Sequence, residues 1–183
     1  MVRKLSRLLI VISTAVLFIK YGGTANYCRY FTNLSALYLG IVSLISLCCG
    51  SKRPRWLKYA ELTAASAATL TPLTVVVFLA PSCESYIIMF RHDMFHFHLL
   101  NPLLGILALG GYEKLSLKQG LWGCVPCVAY SVVYGIQVAL TKNWPDFYGF
   151  TFGGHYGVLL AVIPIMYGVS LLIGMGLALR TRR

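Results

Sequence analysis

The stretch RHDMFHFHLLNP at residues 91–102 carries three histidines and an aspartate close together. On a regular helix of about 100° per residue, His98 shares a stripe with Asn101 and other small or polar residues. His92 and His96 lie about 120° and 160° away from His98, on a stripe of leucines. Small and polar residues mark the packed face of a helix in lipid, so we expect His98 to face inward. An ionisable side chain in that position is a candidate functional group.

A threonine near the start of the second apolar segment is the matching candidate nucleophile. Thr32 begins a stripe of small and hydroxyl-bearing side chains, which continues through Ser35, Ala36, Leu39, Ser43 and Ser46. We place Thr32 and His98 about five residues inside their helices, or roughly 7 Å, and therefore at one depth. A threonine hydroxyl attacks an acyl group once a base removes its proton, and neutral histidine is the usual base. The pair predicts an acyl-threonine intermediate, which water or another alcohol then attacks.

Four further polar residues are candidates for supporting roles. Asn101, or backbone N–H groups near the helix ends, is placed to stabilise an oxyanion, and Ser35 shares the Thr32 stripe. We expect Asp146 to orient His98, and His155 to add a second polar group to the same joint, KNWPDFYGFTFGGHYG. The aromatic residues of that joint suit a lid over an acyl chain, and equally an aromatic belt at the membrane surface.

A metal site is the main alternative interpretation of the histidine cluster. His92 and His96 have the i, i+4 spacing that puts two ligands on one helix face, and Asp93 or His155 could be a third. The stretch lacks the glutamate of an HExxH motif, and His98 lies on another face. We therefore predict no bound metal and no cofactor.

The cysteines offer two weaker signals. The sequence CVPC, from Cys124 to Cys127, resembles a thioredoxin-type redox motif, but it lies in an apolar helix without the βα context of that motif. Packing of small residues explains it better. A disulfide between Cys28 and Cys83 is left open.

The elements that position these residues are apolar helices. The chain has 183 residues, of which 58% are hydrophobic and 11% charged, and its five acidic residues cannot supply the surface of a soluble domain. Segments of about 20 apolar residues cross a bilayer as helices. We predict one all-α domain, a polytopic integral membrane bundle of six transmembrane helices. The spans are placed at 5–21, 27–49, 58–81, 94–112, 119–141 and 157–179.

The distribution of lysine and arginine predicts the orientation in the membrane. With six spans, twelve of the 16 basic residues fall on one side and four on the other. Basic residues favour the cytoplasmic side, so both termini are predicted to be cytoplasmic. The net charge of +11 then reflects topology and attraction to anionic lipid, and it requires no nucleic-acid partner.

Three motifs together resemble the androgen-induced-protein family of six-span membrane proteins and its uncharacterised bacterial relatives. They are YFTNLSALY at the start of the second span, His98 with Pro102 four residues on, and WPDFYGFTFGG before the last span. Animal members of the family hydrolyse fatty acid esters of hydroxy fatty acids with a threonine and a histidine. The resemblance implies that Thr32 and His98 take these roles, in a multi-pass protein of a bacterial plasma membrane.

The leading hypothesis is therefore a membrane-embedded lipid esterase that acts near the outer leaflet, with a lipid or acyl ester as its substrate. Three alternatives stay open at this point. A lipid acyltransferase would use the same site, a lipid-binding protein would hold lipid without chemistry, and a small-solute carrier would use a polar path through the bundle.

Overall fold

The computed structural model describes residues 1–24, 26–50, 52–82, 86–110 and 114–181. Within these ranges the chain is helical and contains no strand, as the apolar periodicity predicts. Cys83 lies outside the described residues, as do residues 111–113, and the question of a disulfide between Cys83 and Cys28 stays open.

Six long helical segments follow one another along the described chain. Helix α1 is Val2–Tyr21, α2 is Phe31–Cys49, and α3 is Arg55–Thr74 with a π-helical continuation at Val75–Leu79. Helix α4 runs from Asp93–Phe95 through a π-helical turn at His96–Leu100 to Asn101–Ala108. Helix α5 is Leu117–Leu140 and α6 is Leu159–Arg180.

Four of these helices, α2, α3, α5 and α6, are long and apolar enough to cross a membrane. Large apolar side chains stand out from the bundle, such as Leu160 at 83% exposure and Leu172 at 70%, which is the surface expected of a protein in lipid. Helix α4 is shorter than a span normally requires, and α1 carries basic residues at both ends. Their assignment as the remaining two spans stays a prediction.

The predicted boundaries nearest to the candidate residues differ from the structure at the start of α2 and at the end of α4. The span placed at 27–49 begins as a helix only at Phe31, because Tyr30 has an extended backbone with φ −94° and ψ 128°. A separate 3-10 turn occupies Tyr27–Arg29. The span placed at 94–112 leaves the helical conformation at Leu109, where ψ is 134°. Thr32 is therefore the second residue of α2 and not the fifth or sixth.

Helix α3 is the central element, as its alanine-rich sequence predicts. It packs against α2, α4, α5 and α6, and every residue from Glu61 to Ala68 is buried. Alanine and serine side chains let neighbouring helices approach closely from several sides. Close approach also joins α5 to α6, where a Cβ added to Gly123 would lie 2.6 Å from the Cα of Gly174.

A buried ion pair joins the helices at the end of the bundle that holds both termini, which we call the terminus end. The Arg7 guanidinium lies 2.9 Å from the Glu61 carboxylate, and Ser46 Oγ donates to the same carboxylate at 2.6 Å. Arg7 also donates to the Ala108 carbonyl at 2.9 Å. Arg7 is therefore the nearer basic partner of Glu61, and the Arg53 guanidinium lies 3.9 Å from the same carboxylate.

The end of α6 also lies at the terminus end, since Thr181 Oγ1 accepts a hydrogen bond from the Leu115 N–H at 3.0 Å.

The segment between α5 and α6, residues 141–158, covers the opposite end, which we call the loop end. The start of α2 and the start of α4 are both at the loop end, and so the topology places Thr32 and His98 at one end of the bundle.

Candidate functional site

The packed stripes predicted for α2 and α4 are confirmed. Thr32, Ser35, Ala36, Leu39, Ser43 and Ser46 are all buried on α2, and His98, Asn101, Pro102, Gly105 and Leu109 are all buried on α4. Leu103 and Leu107, on the stripe assigned to lipid, are exposed to 50% and 43%. The π-helical turn at His96–Leu100 alters the local angles without turning His98 outward.

Thr32 lies in the first turn of α2, where the backbone N–H groups have no partner within the helix. Its side chain is buried, with 8% exposure. Ser35 Oγ donates to the Thr32 carbonyl at 2.9 Å and lies 3.2 Å from Thr71 Oγ1. Ser35 therefore stabilises this helix turn by a hydrogen bond to the Thr32 backbone.

His98 is buried as well, with 4% exposure, and its ring is held by a backbone contact. The Nδ1 atom lies 2.6 Å from the carbonyl oxygen of Met89, in the short helix Tyr86–Phe90. A carbonyl oxygen only accepts, so Nδ1 carries the proton in this contact. In neutral His98 the proton-accepting atom is then Nε2, which is what a general base requires.

Thr32 and His98 line one cavity of about 340 Å³. Most of the other lining residues are large and apolar or aromatic, among them Tyr27, Tyr30, Met94, Phe97, Phe147 and Tyr148. The hydrogen bonds of the described residues include none between the Thr32 hydroxyl and the His98 ring. The two groups face a shared space of a size typical of small-molecule sites.

Tyr148 is the residue of this site that sequence reasoning missed, because it was grouped with the other aromatic residues of a lid or belt. Its phenol oxygen accepts a hydrogen bond from the Phe31 N–H at 2.8 Å and also interacts with Thr32. Its side chain is buried, at 4% exposure. No one-dimensional pattern marks it, since the contact joins residues 117 positions apart.

The structure does not bring Asp146 to His98, and the predicted orienting role is replaced by the Met89 carbonyl. Asp146 instead holds the loop: it accepts bonds from the Tyr134 hydroxyl, the Phe150 N–H at 3.0 Å, and the Thr151 N–H and Oγ1 at 2.6 and 2.7 Å. Partial burial acts to raise the pKa of Asp146, but these bonds together hold the pKa below its ordinary value.

The remaining predicted support residues lie elsewhere. Asn101 is fully buried, and neither atom of its amide has a hydrogen-bond partner in the described part of the chain. It is absent from the residues that line the cavity. His155 has an exposed side chain, and its N–H donates to the Thr151 carbonyl at 2.7 Å. Its contribution is to the loop backbone.

The histidine pair considered for a metal does not share a helix face. His92 precedes α4 with φ at 49°, so the i, i+4 geometry of a continuous helix does not apply. His96 Nδ1 lies 3.1 Å from Ser13 Oγ, and Asp93 accepts bonds from Lys20 and Tyr21. Among the residues that the structure describes, no three His, Cys, Asp or Glu side chains are grouped to hold a metal ion.

An apolar groove of about 470 Å³ runs between α2 and α5 beside the site. Phe31 and Trp144 line it near the loop end, and Ile41 lines it about halfway along α2. The α5 wall includes Ala129 and Val133. Phe31, the neighbour of Thr32 in sequence, separates this groove from a chamber of about 30 Å³ that Thr32 also lines.

Comparison of the chain with protein-family models, with curated proteins and with solved structures finds no match in any of the three. The residues of the site therefore carry the functional argument.

Proposed function

We propose that this protein is a membrane-embedded hydrolase of a lipid ester, with Thr32 as nucleophile and His98 as general base. The observation that carries the proposal is the shared cavity, into which Thr32 and His98 both face at the loop end. The Met89 contact supports the role of His98, because it leaves Nε2 as the proton acceptor.

In the first half of the reaction, Thr32 Oγ1 attacks the acyl carbon of the ester and its proton moves to His98 Nε2. The bond between the acyl carbon and the alcohol oxygen breaks, and the proton on His98 passes to that oxygen as the alcohol leaves. In the second half, water attacks the acyl-threonine while His98 takes a water proton. The threonyl oxygen leaves with that proton, which regenerates Thr32 and releases the fatty acid.

The apolar groove is the proposed site of the acyl chain. It begins next to Phe31 and follows α2 toward the middle of the bundle, with mostly apolar walls. An ester whose carbonyl lies at Thr32 could place its chain there, away from water. The cavity that Thr32 shares with His98, which Asn26 and Asn33 also line, would take the alcohol part.

The membrane placement belongs to the same proposal. Helices α1 and α4 are the two remaining spans, which brings the total to six. The terminus end carries most of the lysines and arginines and faces the cytoplasm and its anionic lipid. The loop end and the site then face the outer leaflet of a bacterial plasma membrane. The motif resemblance to the androgen-induced-protein family supports the same assignment.

The decisive test is labelling of the purified protein, in detergent or nanodiscs, with a fluorophosphonate probe. We expect labelling of the wild type, and its loss in Thr32→Ala and in His98→Ala. Thr69→Ala is the matched threonine control, since Thr69 donates to the Ala65 carbonyl on α3. His155→Ala is the control for an exposed histidine. Labelling that survives both site substitutions in folded protein excludes this assignment.

Product analysis by mass spectrometry separates hydrolysis from acyl transfer. Incubation with a fatty acyl ester should release free fatty acid and its alcohol in equal amounts. Appearance of the acyl chain on a second lipid or alcohol identifies a transferase that uses the same residues. Bound lipid without any turnover identifies the non-catalytic alternative.

A further inference from the structure

The first turn of α2 lacks a cap of its own. The residue before the helix, Tyr30, makes no side-chain hydrogen bond to the N–H groups of the first turn. Four such groups are without intrahelical partners at any helix start, and they cost free energy when they are buried unpaired. The Phe31 N–H is nevertheless satisfied, because the Tyr148 phenol oxygen accepts it at 2.8 Å.

The Tyr148 ring is held firmly on its other side. It stacks on Phe150 with ring centroids 5.2 Å apart and packs against Tyr134 at 5.7 Å. Asp146 fixes the backbone of the same loop through its bonds to Phe150 and Thr151. The phenol oxygen is therefore brought to α2 by an ordered loop.

Tyr148 meets Thr32 on both sides of the threonine. The two residues jointly line the cavity of about 340 Å³ and the small chamber of about 30 Å³. Burial raises the pKa of Tyr148, and hydrogen bonding from the Thr32 N–H and hydroxyl acts in the opposite direction.

We propose that Tyr148 is the positioning residue for Thr32: a neutral phenol, delivered by the loop, caps α2 and holds the threonine hydroxyl toward the cavity. The inference rests on the function proposed above. It also explains why the cap is a phenol and not a carboxylate. A neutral cap leaves the positive end of the helix dipole available to the negative charge that develops during attack.

The charge state of the cap is consistent with this role. Burial raises the pKa of Tyr148, so the phenol stays protonated through the physiological range. The titratable groups packed around it have partners of their own: Asp146 accepts four hydrogen bonds, Tyr134 donates one of these, and Tyr130 donates to the Arg29 carbonyl at 2.6 Å.

The test compares Tyr148→Phe with Tyr59→Phe. Both changes remove one phenol oxygen and keep the ring, but Tyr59 bonds Gln119 at the terminus end. The first readout, amide hydrogen exchange at Phe31 and Thr32, does not depend on activity. We expect exchange there to rise about fivefold in Tyr148→Phe, as for loss of a helix cap, and to stay unchanged in Tyr59→Phe.

The second readout is hydrolysis of p-nitrophenyl decanoate. We expect kcat to fall about 10- to 100-fold in Tyr148→Phe with little change in KM, because the nucleophile loses its alignment while the binding surfaces remain. Asp146→Asn, which loosens the loop, should change kcat and amide exchange in the same direction by smaller factors. If Tyr148→Phe does not fold, Asp146→Asn tests the inference in its place.

The outcomes separate the inference from the function on which it rests. A labelled and active wild type with unchanged kcat and exchange in Tyr148→Phe overturns the role of Tyr148 alone. An unlabelled wild type overturns the proposed function. If, in addition, amide exchange at Phe31 and Thr32 is the same in Tyr148→Phe as in the wild type, the capping role is overturned as well. Equal losses of kcat in Tyr148→Phe and Tyr59→Phe identify general destabilisation and overturn the inference.

Discussion

The His98 ring is tied to the Met89 carbonyl oxygen, which lies 2.6 Å from Nδ1 and belongs to a different helical segment. The two residues are nine positions apart, with the exposed turn at Arg91 and His92 between them. The chain thus folds back so that its own backbone sets the tautomer of the histidine. In histidine-dependent hydrolases a carboxylate usually has this orienting role.

Two substitutions of His98 distinguish its role as general base from its contribution to stability. His98→Asn retains an N–H that can donate to Met89 but supplies no base, so we expect a folded protein without labelling or turnover. His98→Leu also leaves the Met89 carbonyl unpaired, which costs about 1–3 kcal/mol of stability. Thermal unfolding in detergent and probe labelling measure the two effects. An active His98→Asn protein would contradict the role of His98 as base.

Blocking the groove should change the preference for acyl chain length. Ala129 lines the groove on α5, and Ala129→Trp places an indole in that space. We expect hydrolysis of a decanoyl ester to fall at least about tenfold relative to an acetyl ester. Val132→Trp is the matched control, because Val132 is on the same helix and 54% exposed outside the groove. An unchanged ratio of the two rates in Ala129→Trp would place the chain elsewhere.

Acid should loosen the 141–158 loop through Asp146. The hydrogen bonds to this carboxylate hold its pKa below the ordinary value, so the charged form is bound better in the folded state. The contribution of Asp146 to the stability of the folded loop is complete above about pH 4, the ordinary pKa range of aspartate. It is lost as the pH falls through the pKa that Asp146 has in the folded protein, which is lower.

Amide exchange of Phe150 and Thr151, compared between pH 7 and pH 3, measures this loss. Asp146→Asn should exchange faster at pH 7 and show a smaller acid response. The expected effect is about 1 kcal/mol, since water partly screens this half-buried group. A wild-type loop whose exchange, after correction for the intrinsic rate, does not respond to acid would refute the prediction.

The contact between α5 and α6 depends on the absence of a side chain at Gly174. A Cβ there would meet the Gly120 carbonyl and lie 2.9 Å from the Gly123 Cα, both of which are backbone atoms. We expect Gly174→Ala to destabilise the fold by about 1–3 kcal/mol. Gly176→Ala, two positions on with nothing within 4 Å of the added methyl, should leave stability unchanged or raise it by up to about 1 kcal/mol. Unfolding in a denaturing detergent series compares the two, and equal stabilities would contradict a tight helix crossing.

The all-helical class and the packed faces of α2 and α4 could be predicted from the sequence because they depend on local composition and periodicity. A stripe of small and polar residues in an apolar helix packs inward in many folds, and so Thr32 and His98 could be identified as inward-facing without knowledge of their neighbours. The central place of α3 followed from its alanines in the same way. The helix ends were placed less accurately. Tyr30 is extended without a glycine or proline beside it, and the predicted fourth span was carried past Leu109 although Gly110 and Gly111 follow that residue.

The partners of those residues were decided only by the tertiary structure. A glutamate in an apolar helix needs a basic neighbour, but four helices had to meet before Arg7 could be the neighbour of Glu61. The sequence likewise suggested Asp146 as the partner of His98. In the structure His98 bonds to the Met89 carbonyl, and Asp146 accepts hydrogen bonds within its own loop. Tyr148 shows the physical reason most clearly. A residue's helix face is set by the few side chains around it in sequence, while its hydrogen-bond partner is set by distances across the fold that no local pattern records.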